Sequence, residues 1–268
     1  MSTLVHPPNT PLGRFGVATL VDSAELYVGS IPMTGLTNPI TEAPTVGPLA
    51  LLVDFVAGVV NHYRRTPDEF TVSSEMSLDL SPDAFDSIAT DSDVPVIGRA
   101  RPFGPKGATS LGICEITHRD AVIGVGSVRS VHIRAPADIP ADPFPPASGP
   151  RPTELADIMA LRVGGLDPPV LFQEPNDNLQ NSIGIVHGGI SATALELVAS
   201  AVLNADRGTE PVHTASLRVS YLRRLMSGAE SRYTASVLRA GGRSGIAEAQ
   251  AIGADGAIAL IARMTAYR

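Results

Sequence analysis

The two halves of this 268-residue chain follow the same order of segments, and this repetition limits the folds that the chain can adopt. Each half contains a long apolar stretch that predicts a buried helix, and each helix carries one acidic residue in its interior. Glu196 lies 142 residues after Asp54 when the helices are aligned, and Leu217 lies 141 residues after Met76 when the following strands are aligned. Two independent segments with nearly the same spacing indicate an internal duplication.

Apolar and polar residues alternate on both sides of each predicted helix, which is typical of half-buried β-strands. In the first half, strands are predicted within residues 15–32 and 70–133, around a helix over residues 47–63. In the second half, a short helical segment and a strand precede the buried helix that starts near Ile190, and further strands follow it. The first dozen residues are predicted to form an extended arm. The whole pattern predicts an α+β fold built from two similar units.

A proline-rich segment separates the two halves. Residues 134–152 read RAPADIPADPFPPASGPRP and show no regular alternation, which is typical of an extended linker. We therefore predict an N-terminal unit over residues 1–133 and a C-terminal unit over residues 153–268.

Charge and composition argue against several classes of function. The net charge of −7 argues against a nucleic-acid partner, because phosphate backbones bind basic surfaces. No segment reaches the roughly 18 uninterrupted apolar residues of a membrane span, and the N-terminus lacks the pattern of a signal peptide. Cys114 is the only cysteine, which excludes an intrachain disulfide and fits a cytoplasmic protein. No spacing of His, Cys and carboxylates suggests a metal site, and no cofactor is predicted.

The loop that leads into the second buried helix is the most informative segment for function. It reads NSIGIVHGG from Asn181 to Gly189 and ends where the helical pattern begins. The adjacent Gly188 and Gly189 leave the backbone bare, so that the first amides of the helix can approach a ligand oxygen closely. Because helix N-termini favour negative charge, this is a candidate oxyanion site. His187 is a further candidate, either as a catalytic group or, as we favour, as a residue that fixes the loop.

Spacing along the helix decides which acid can serve this site. Glu196 lies eight residues after Gly188, which corresponds to roughly 12 Å along a helix axis. Its carboxylate is therefore too far away to act on a carbonyl bound at Gly188. If the two units pack with their helices antiparallel, Asp54 reaches the start of the second helix and Glu196 reaches the start of the first. We predict that the Asp54 site is the better catalyst, because Thr-Val-Gly-Pro at residues 45–48 replaces His-Gly-Gly at the other site.

These residues resemble those of a known family. The order Asn-x-x-Gly-x-x-His-Gly-Gly, with an acid nine residues after the histidine, runs from Asn181 to Glu196. It is similar to the hotdog-fold acyl-CoA thioesterases of the phenylacetic-acid-degradation (PaaI-like) type. The resemblance covers residues 165–268 well and residues 20–133 more weakly. It implies two hotdog units in one chain, each a long helix wrapped by a curved antiparallel sheet, paired about a pseudo-two-fold axis.

The resemblance also implies roles for individual residues in thioester hydrolysis. A thioester carbonyl would bind the Gly188 N–H. A carboxylate from the partner unit, Asp54 or at the second site Glu196, would act as nucleophile or as general base for water. Asn181 would help to position the nucleophile or the carbonyl. Further contacts to the substrate, the water or the acid would come from Ser73, Thr214 and Gly189.

Arginines that follow the second helix are candidate contacts for an anionic small molecule such as acyl-CoA, the expected partner. Five of them could form a positive rim: Arg218, Arg223, Arg224, Arg239 and Arg243. We take Arg239 and Arg243 as the candidate substrate-binding pair. The alternative is that each is a solvated strand or turn residue. A homo-oligomer of such chains is also compatible with the resemblance.

Three functions fit the sequence. The first is an acyl-CoA thioesterase without a metal. The second is a non-catalytic acyl-CoA or acyl-thioester binding protein with a decayed site. The third is a hotdog hydratase or dehydratase, which ranks last because the chain lacks the Asp and His pair that this type carries at the start of the helix.

Overall fold

The computed structural model describes residues 3–137, 150–208 and 210–268. The first half contains β1 (Leu4–Val5), α1 (Pro11–Arg14), β2 (Ala18–Asp22), β3 (Tyr27–Ile31), α2 (Pro48–His62), β4 (Glu69–Leu80), α3 (Ala84–Thr90), β5 (Val96–Phe103), β6 (Thr109–His118) and β7 (Ala121–Arg134). The second half contains α4 (Leu155–Met159), β8 (Leu161–Leu166), β9 (Pro169–Gln173), a 3-10 turn (Asp177–Leu179), α5 (Gly188–Asn204), β10 (His213–Tyr221), β11 (Arg232–Ala240), β12 (Ser244–Ile252) and β13 (Ile258–Tyr267).

The described strands form one antiparallel sheet in the order β1-β2-β3-β5-β6-β7-β4-β10-β13-β12-β11-β9-β8. The pair β4 and β10 joins the strands of the first half to those of the second. Moving outward from this pair, each half places its last strand next, then its third and second strands after the helix, and finally the strands that precede the helix. The two halves therefore use the same strand order.

Helices α2 and α5 lie against the sheet and against each other. Each packs on strands of its own half, α2 on β3 to β7 and α5 on β9 to β13. Nearly every residue of both helices is buried, as expected of helices that are apolar on all faces. The two helices run antiparallel, because Gly189 lies near Leu51 while Glu196 lies near Gly47.

Most predicted elements are confirmed, including both buried helices and the strands on either side of them. The extended arm was wrong in part, because β1 and α1 lie within it. Helix α3 and strand β8 were not predicted, since α3 is short and polar and β8 has two glycines that interrupt its alternation. Residues 138–149 of the predicted linker lie outside the described residues. No described helix has the length and apolar character needed to span a membrane.

Candidate active site

The start of helix α5 presents unpaired backbone amides. His187 is the N-cap residue, and its Nδ1 accepts a hydrogen bond from the Gly189 amide at 3.1 Å. The Ser191 amide donates to the His187 carbonyl oxygen, so the first turn is regular. Among the described residues, no hydrogen-bond acceptor contacts the Gly188 amide. A helix start with a free amide is suited to an anionic oxygen.

Asp54 of helix α2 lies at this helix start. Its Oδ2 is 3.7 Å from His187 Nδ1 and 3.0 Å from the position that a Cβ on Gly188 would occupy. The Ser73 hydroxyl on β4 donates to Asp54 Oδ1 at 2.9 Å. Only 6% of Asp54 is exposed, so its carboxylate has a fixed orientation in a largely dry setting. The helix-spacing argument therefore identified the acid that lies beside Gly188.

His187 is a neutral side chain that shapes the loop. Burial lowers its pKa, and the neighbouring Asp54 carboxylate opposes this effect only in part. Because Nδ1 accepts the hydrogen bond from Gly189, the proton of the neutral ring resides on Nε2. The 3.7 Å contact with Asp54 is therefore not an ion pair. This geometry fits a residue that fixes the loop.

Tyr221 at the end of β10 is a member of the site that the sequence did not identify. Its hydroxyl donates to the Gly188 carbonyl oxygen at 3.4 Å. Burial, followed by the charge of Asp54, raises the pKa of this hydroxyl well above its usual value. Tyr221 is thus neutral at physiological pH and packs one wall of the site. In the sequence it reads only as one more apolar position of an alternating strand.

A cavity of about 700 Å³ opens at this helix start. It includes five of the predicted site residues, Asp54, Ser73, Asn181, His187 and Gly188. Carbon-rich side chains form much of the remaining wall, among them Leu12, Phe55, Val59, Phe70, Val72, Val131, Ile133, Ile183, Val186, Leu222, Leu225 and Leu260. A large, mainly apolar cavity with a few convergent polar groups is typical of a small-molecule site.

Asn181 shapes the loop that forms one wall of the cavity. Its Oδ1 accepts hydrogen bonds from the amides of Ile183 and Ile185 at 3.1 and 3.4 Å. Asn38 makes the matching contact in the first half, where its Oδ1 accepts from the Ile40 amide. The one-residue offset between the two asparagines in the sequence therefore does not remove the feature from the first half. The Asn38 amide group is occupied elsewhere, since it donates to the Leu197 carbonyl oxygen on α5.

Glu196 lies in a closed counterpart of this site, beside the start of α2. The hydroxyl groups of Thr214 and Thr45 donate to its Oε1 and Oε2 at 2.5 and 3.2 Å, and 1% of the residue is exposed. Burial raises the pKa of Glu196 to about 7, although both hydrogen bonds favour the charged form. The nearby cavity, of about 110 Å³, is bounded by Thr45 and not by Glu196. The two acids thus have similar hydrogen bonds but very different access.

The arginines of the predicted rim separate into two groups. Arg239 lies at the end of β11 and Arg243 in the turn that follows, and neither borders the 700 Å³ cavity. The arginines that do border it are Arg223 and Arg224, in the exposed segment after β10. The choice of Arg239 and Arg243 therefore does not agree with the position of the cavity. Closeness in sequence could not show which arginines the sheet would turn towards it.

The site depends on a close approach of the two helices at Gly189. A Cβ at this position would lie 2.8 Å from Leu51 Cα and 3.3 Å from Asp54 Cβ. Only a residue without a side chain fits, because the nearest backbone belongs to the other helix. This contact sets the separation between the Gly188 amide and the Asp54 carboxylate.

Gly189→Ala is expected to lower the free energy of unfolding by about 2 kcal/mol, because the added methyl overpacks the helix contact. Urea denaturation would measure the change. Gly242→Ala is the matched control, because a Cβ at Gly242 meets no atom within 4 Å. Equal stabilities of the two variants would show that the helix contact tolerates a methyl group.

Comparisons with known proteins place this geometry in context. Residues 183–259 match the model of the family described as the thioesterase superfamily. A search of curated proteins gives no match. Among solved structures, the chain is similar to a TesB protein of Mycobacterium avium subsp. paratuberculosis, with a TM-score of 0.63, 14% identity, and coverage of 93% of this chain and 95% of that one.

Two further solved structures cover the chain to a similar extent. A protein of unknown function with a hot dog fold from Alicyclobacillus acidocaldarius gives a TM-score of 0.59 at 12% identity, with coverage of 93% of this chain and 94% of that one. Acyl-CoA thioesterase II TesB2 from Mycobacterium marinum gives 0.53 at 13% identity, with coverage of 93% of each chain. On the match of residues 183–259 and the hot dog fold shared over nearly its full length, the chain belongs to the thioesterase superfamily.

Proposed function

We propose that this protein is an acyl-CoA thioesterase that hydrolyses a thioester to a carboxylic acid and free CoA. The observation that carries the proposal is the unpaired Gly188 amide, which faces a 700 Å³ cavity beside the Asp54 carboxylate. The superfamily match and the acyl-CoA thioesterase named among similar structures support the same reaction. The PaaI-like subgroup, the cytoplasmic location and the homo-oligomer stay predictions.

The chain, in this proposal, carries two hot dog units, residues 1–133 and 153–268, related by a pseudo-two-fold axis. The register of β4 and β10 supports it. Leu217 pairs with Leu78, and Val219 pairs with Met76. Exchanging each residue for its counterpart 141 positions away converts the first pair into the second. The packed antiparallel helices and the common strand order of the halves support the same arrangement.

The Gly188 amide is proposed to stabilise the transition state of hydrolysis. Attack on a thioester carbonyl moves negative charge onto the carbonyl oxygen. A fixed N–H at a helix start stabilises that charge without having to reorient, and removal of one such donor in other enzymes costs roughly 3 kcal/mol. His187 contributes by holding the Gly189 amide, which sets the direction of the first helical turn.

The Asp54 carboxylate is proposed to deliver the attack, and two routes fit its position. As a general base, it takes a proton from water while the water oxygen bonds to the carbonyl carbon. As a nucleophile, it bonds to that carbon itself, and water then cleaves the resulting anhydride. In both routes the C–S bond breaks and the CoA sulfur leaves as a thiolate. Ser73 holds the carboxylate through Oδ1 and leaves Oδ2 directed towards Gly188. Neither route needs a metal ion.

We propose one active site in the chain, at Asp54. Glu196 has the same type of hydroxyl partner, but both of its oxygens are occupied by Thr214 and Thr45. The aromatic ring of Phe85, on α3, stacks on His213 next to this site at 3.7 Å. No equivalent cover lies over Asp54, which borders the large cavity.

The test of the function is a steady-state assay of thiol release with acyl-CoA esters from acetyl to palmitoyl and with aryl-CoA esters. Turnover with at least one class is expected. Release of CoA from none of them, together with saturable binding, would favour the alternative of a non-catalytic acyl-thioester binding protein.

The double variant Arg223→Gln/Arg224→Gln is expected to raise KM for an acyl-CoA about 10-fold with little change in kcat, because the two guanidinium groups are proposed to bind CoA phosphates. They are the only cationic side chains among the described residues that border the cavity, apart from histidines. The same acyl group on N-acetylcysteamine, which lacks phosphates, should show no change in KM.

Arg239→Gln/Arg243→Gln is the matched control for this prediction, because both residues lie away from the cavity. A rise in KM with this pair and not with Arg223 and Arg224 would show that the sequence-based choice was right.

A further inference from the structure

Helix α2 contains an interior glycine, Gly58, that helix packing does not explain. A glycine in a helix interior costs about 1 kcal/mol relative to alanine. A Cβ at Gly58 would meet no atom within 4 Å, whereas glycines required by packing leave no such space. Gly58 borders the 700 Å³ cavity. The missing side chain therefore leaves room in the cavity and does not serve a contact within the protein.

Gly58 lies on the same face of α2 as the acid of the active site. Asp54, Gly58 and His62 are spaced by four residues, so they lie one above another along the helix. All three border the cavity. With a rise of 1.5 Å per residue, Gly58 is roughly 6 Å and His62 roughly 12 Å from Asp54 along the axis. The cavity thus includes a groove that runs along α2 from the reacting centre to His62.

This groove carries no formal charge beyond Asp54. Its walls near Gly58 include Val59, Phe70 and Ile133. At its far end His62 Nδ1 and the Thr71 hydroxyl are hydrogen-bonded at 2.7 Å. Burial is the main cause that lowers the pKa of His62 to about 4, so its ring is neutral at physiological pH. The charged parts of a CoA ester would be disfavoured here and would be better matched by the arginines after β10.

We propose that the acyl chain of the substrate lies in this groove across Gly58, with its far end beside His62, so that acyl groups of about six to ten carbons fit best. A saturated chain advances about 1.25 Å per carbon, because its bonds of about 1.5 Å alternate in direction at tetrahedral angles. About five carbons therefore reach Gly58 and about ten reach His62. The inference rests on the proposed thioesterase function and assigns Gly58 as the residue that determines acyl length.

The test is Gly58→Leu, which places a branched side chain in the groove. For octanoyl-CoA, kcat/KM is expected to fall about 100-fold, while for acetyl-CoA and propionyl-CoA it should change less than about 3-fold, because these chains end before Gly58. Gly58→Ala should give an intermediate loss for octanoyl-CoA. Gly242→Leu, in the turn after β11 and outside the cavity, is the control and should leave the chain-length profile unchanged.

Stability and binding measurements separate the possible outcomes. Thermal unfolding should show Gly58→Leu to be at least as stable as the wild type, since the change removes a helix glycine and meets no neighbouring atom. An equal loss of activity at every chain length, or no loss for octanoyl-CoA, would overturn the proposal. If the wild type releases no thiol from any ester, the thioesterase function fails. Titration with S-(2-oxodecyl)-CoA would still decide the groove, because Gly58→Leu should weaken its binding at least 10-fold and equal affinity would contradict it.

Discussion

Asp54→Asn is expected to lower kcat roughly 10³-fold, the range associated with loss of a general base or an activated nucleophile. The asparagine keeps the shape of the side chain and can accept the hydrogen bond from Ser73, but it can neither take a proton from water nor attack a carbonyl. KM should change little, because the carboxylate does not contribute to binding of the CoA moiety. Release of free thiol from the preferred acyl-CoA, measured at saturation, gives the comparison.

Glu196→Gln is the matched control for this experiment. Glu196 occupies the corresponding position of the other helix and has the corresponding hydroxyl partner, Thr214. We expect kcat to stay within about 2-fold of the wild type, because Glu196 does not border the large cavity. Loss of turnover in Glu196→Gln with activity retained in Asp54→Asn would place the active site at the start of α2.

Much of the fold could be predicted because its signals are local. The buried helices are apolar on every face, and strands such as β4 and β10 alternate with a period of two. The link between Asp54 and Gly188 is not local, yet it also followed from the sequence. The roughly 12 Å rise between Gly188 and Glu196 excluded the nearer acid, and the duplication supplied the other one. A distance limit was thus as informative as a motif.

The parts that were missed depend on how distant segments pack. Tyr221 joins the site only because β10 ends beside the start of α5. Arg239 and Arg243 were preferred to Arg223 and Arg224, although the curvature of the sheet turns only the latter towards the cavity. The difference in access between the two acids follows from side chains such as Phe85, on a helix that no pattern predicted. None of these features has a signal within a short window of sequence.

The closed site makes a prediction about stability. Burial raises the pKa of Glu196 from 4.5 in the unfolded chain to about 7 in the folded protein. Below pH 4.5 the carboxyl is protonated in both states and does not affect the equilibrium. Between about pH 4.5 and 7 the unfolded state loses its proton first, so the free energy of unfolding falls as pH rises. Above pH 7 the full loss, about 3 kcal/mol, is present.

Glu196→Gln should remove this pH dependence, because glutamine does not titrate and can still accept the hydrogen bond from Thr214. Between pH 5 and pH 8, we expect the stability of the variant relative to the wild type to increase by about 2 to 3 kcal/mol, measured by urea denaturation. Glu230→Gln, at an exposed position, is the control and should follow the wild type at both values. Parallel pH profiles for wild type and Glu196→Gln would mean that the buried carboxylate is charged at no cost. In that case Glu196 would resemble a working acid, and the argument for a single active site at Asp54 would lose its electrostatic support.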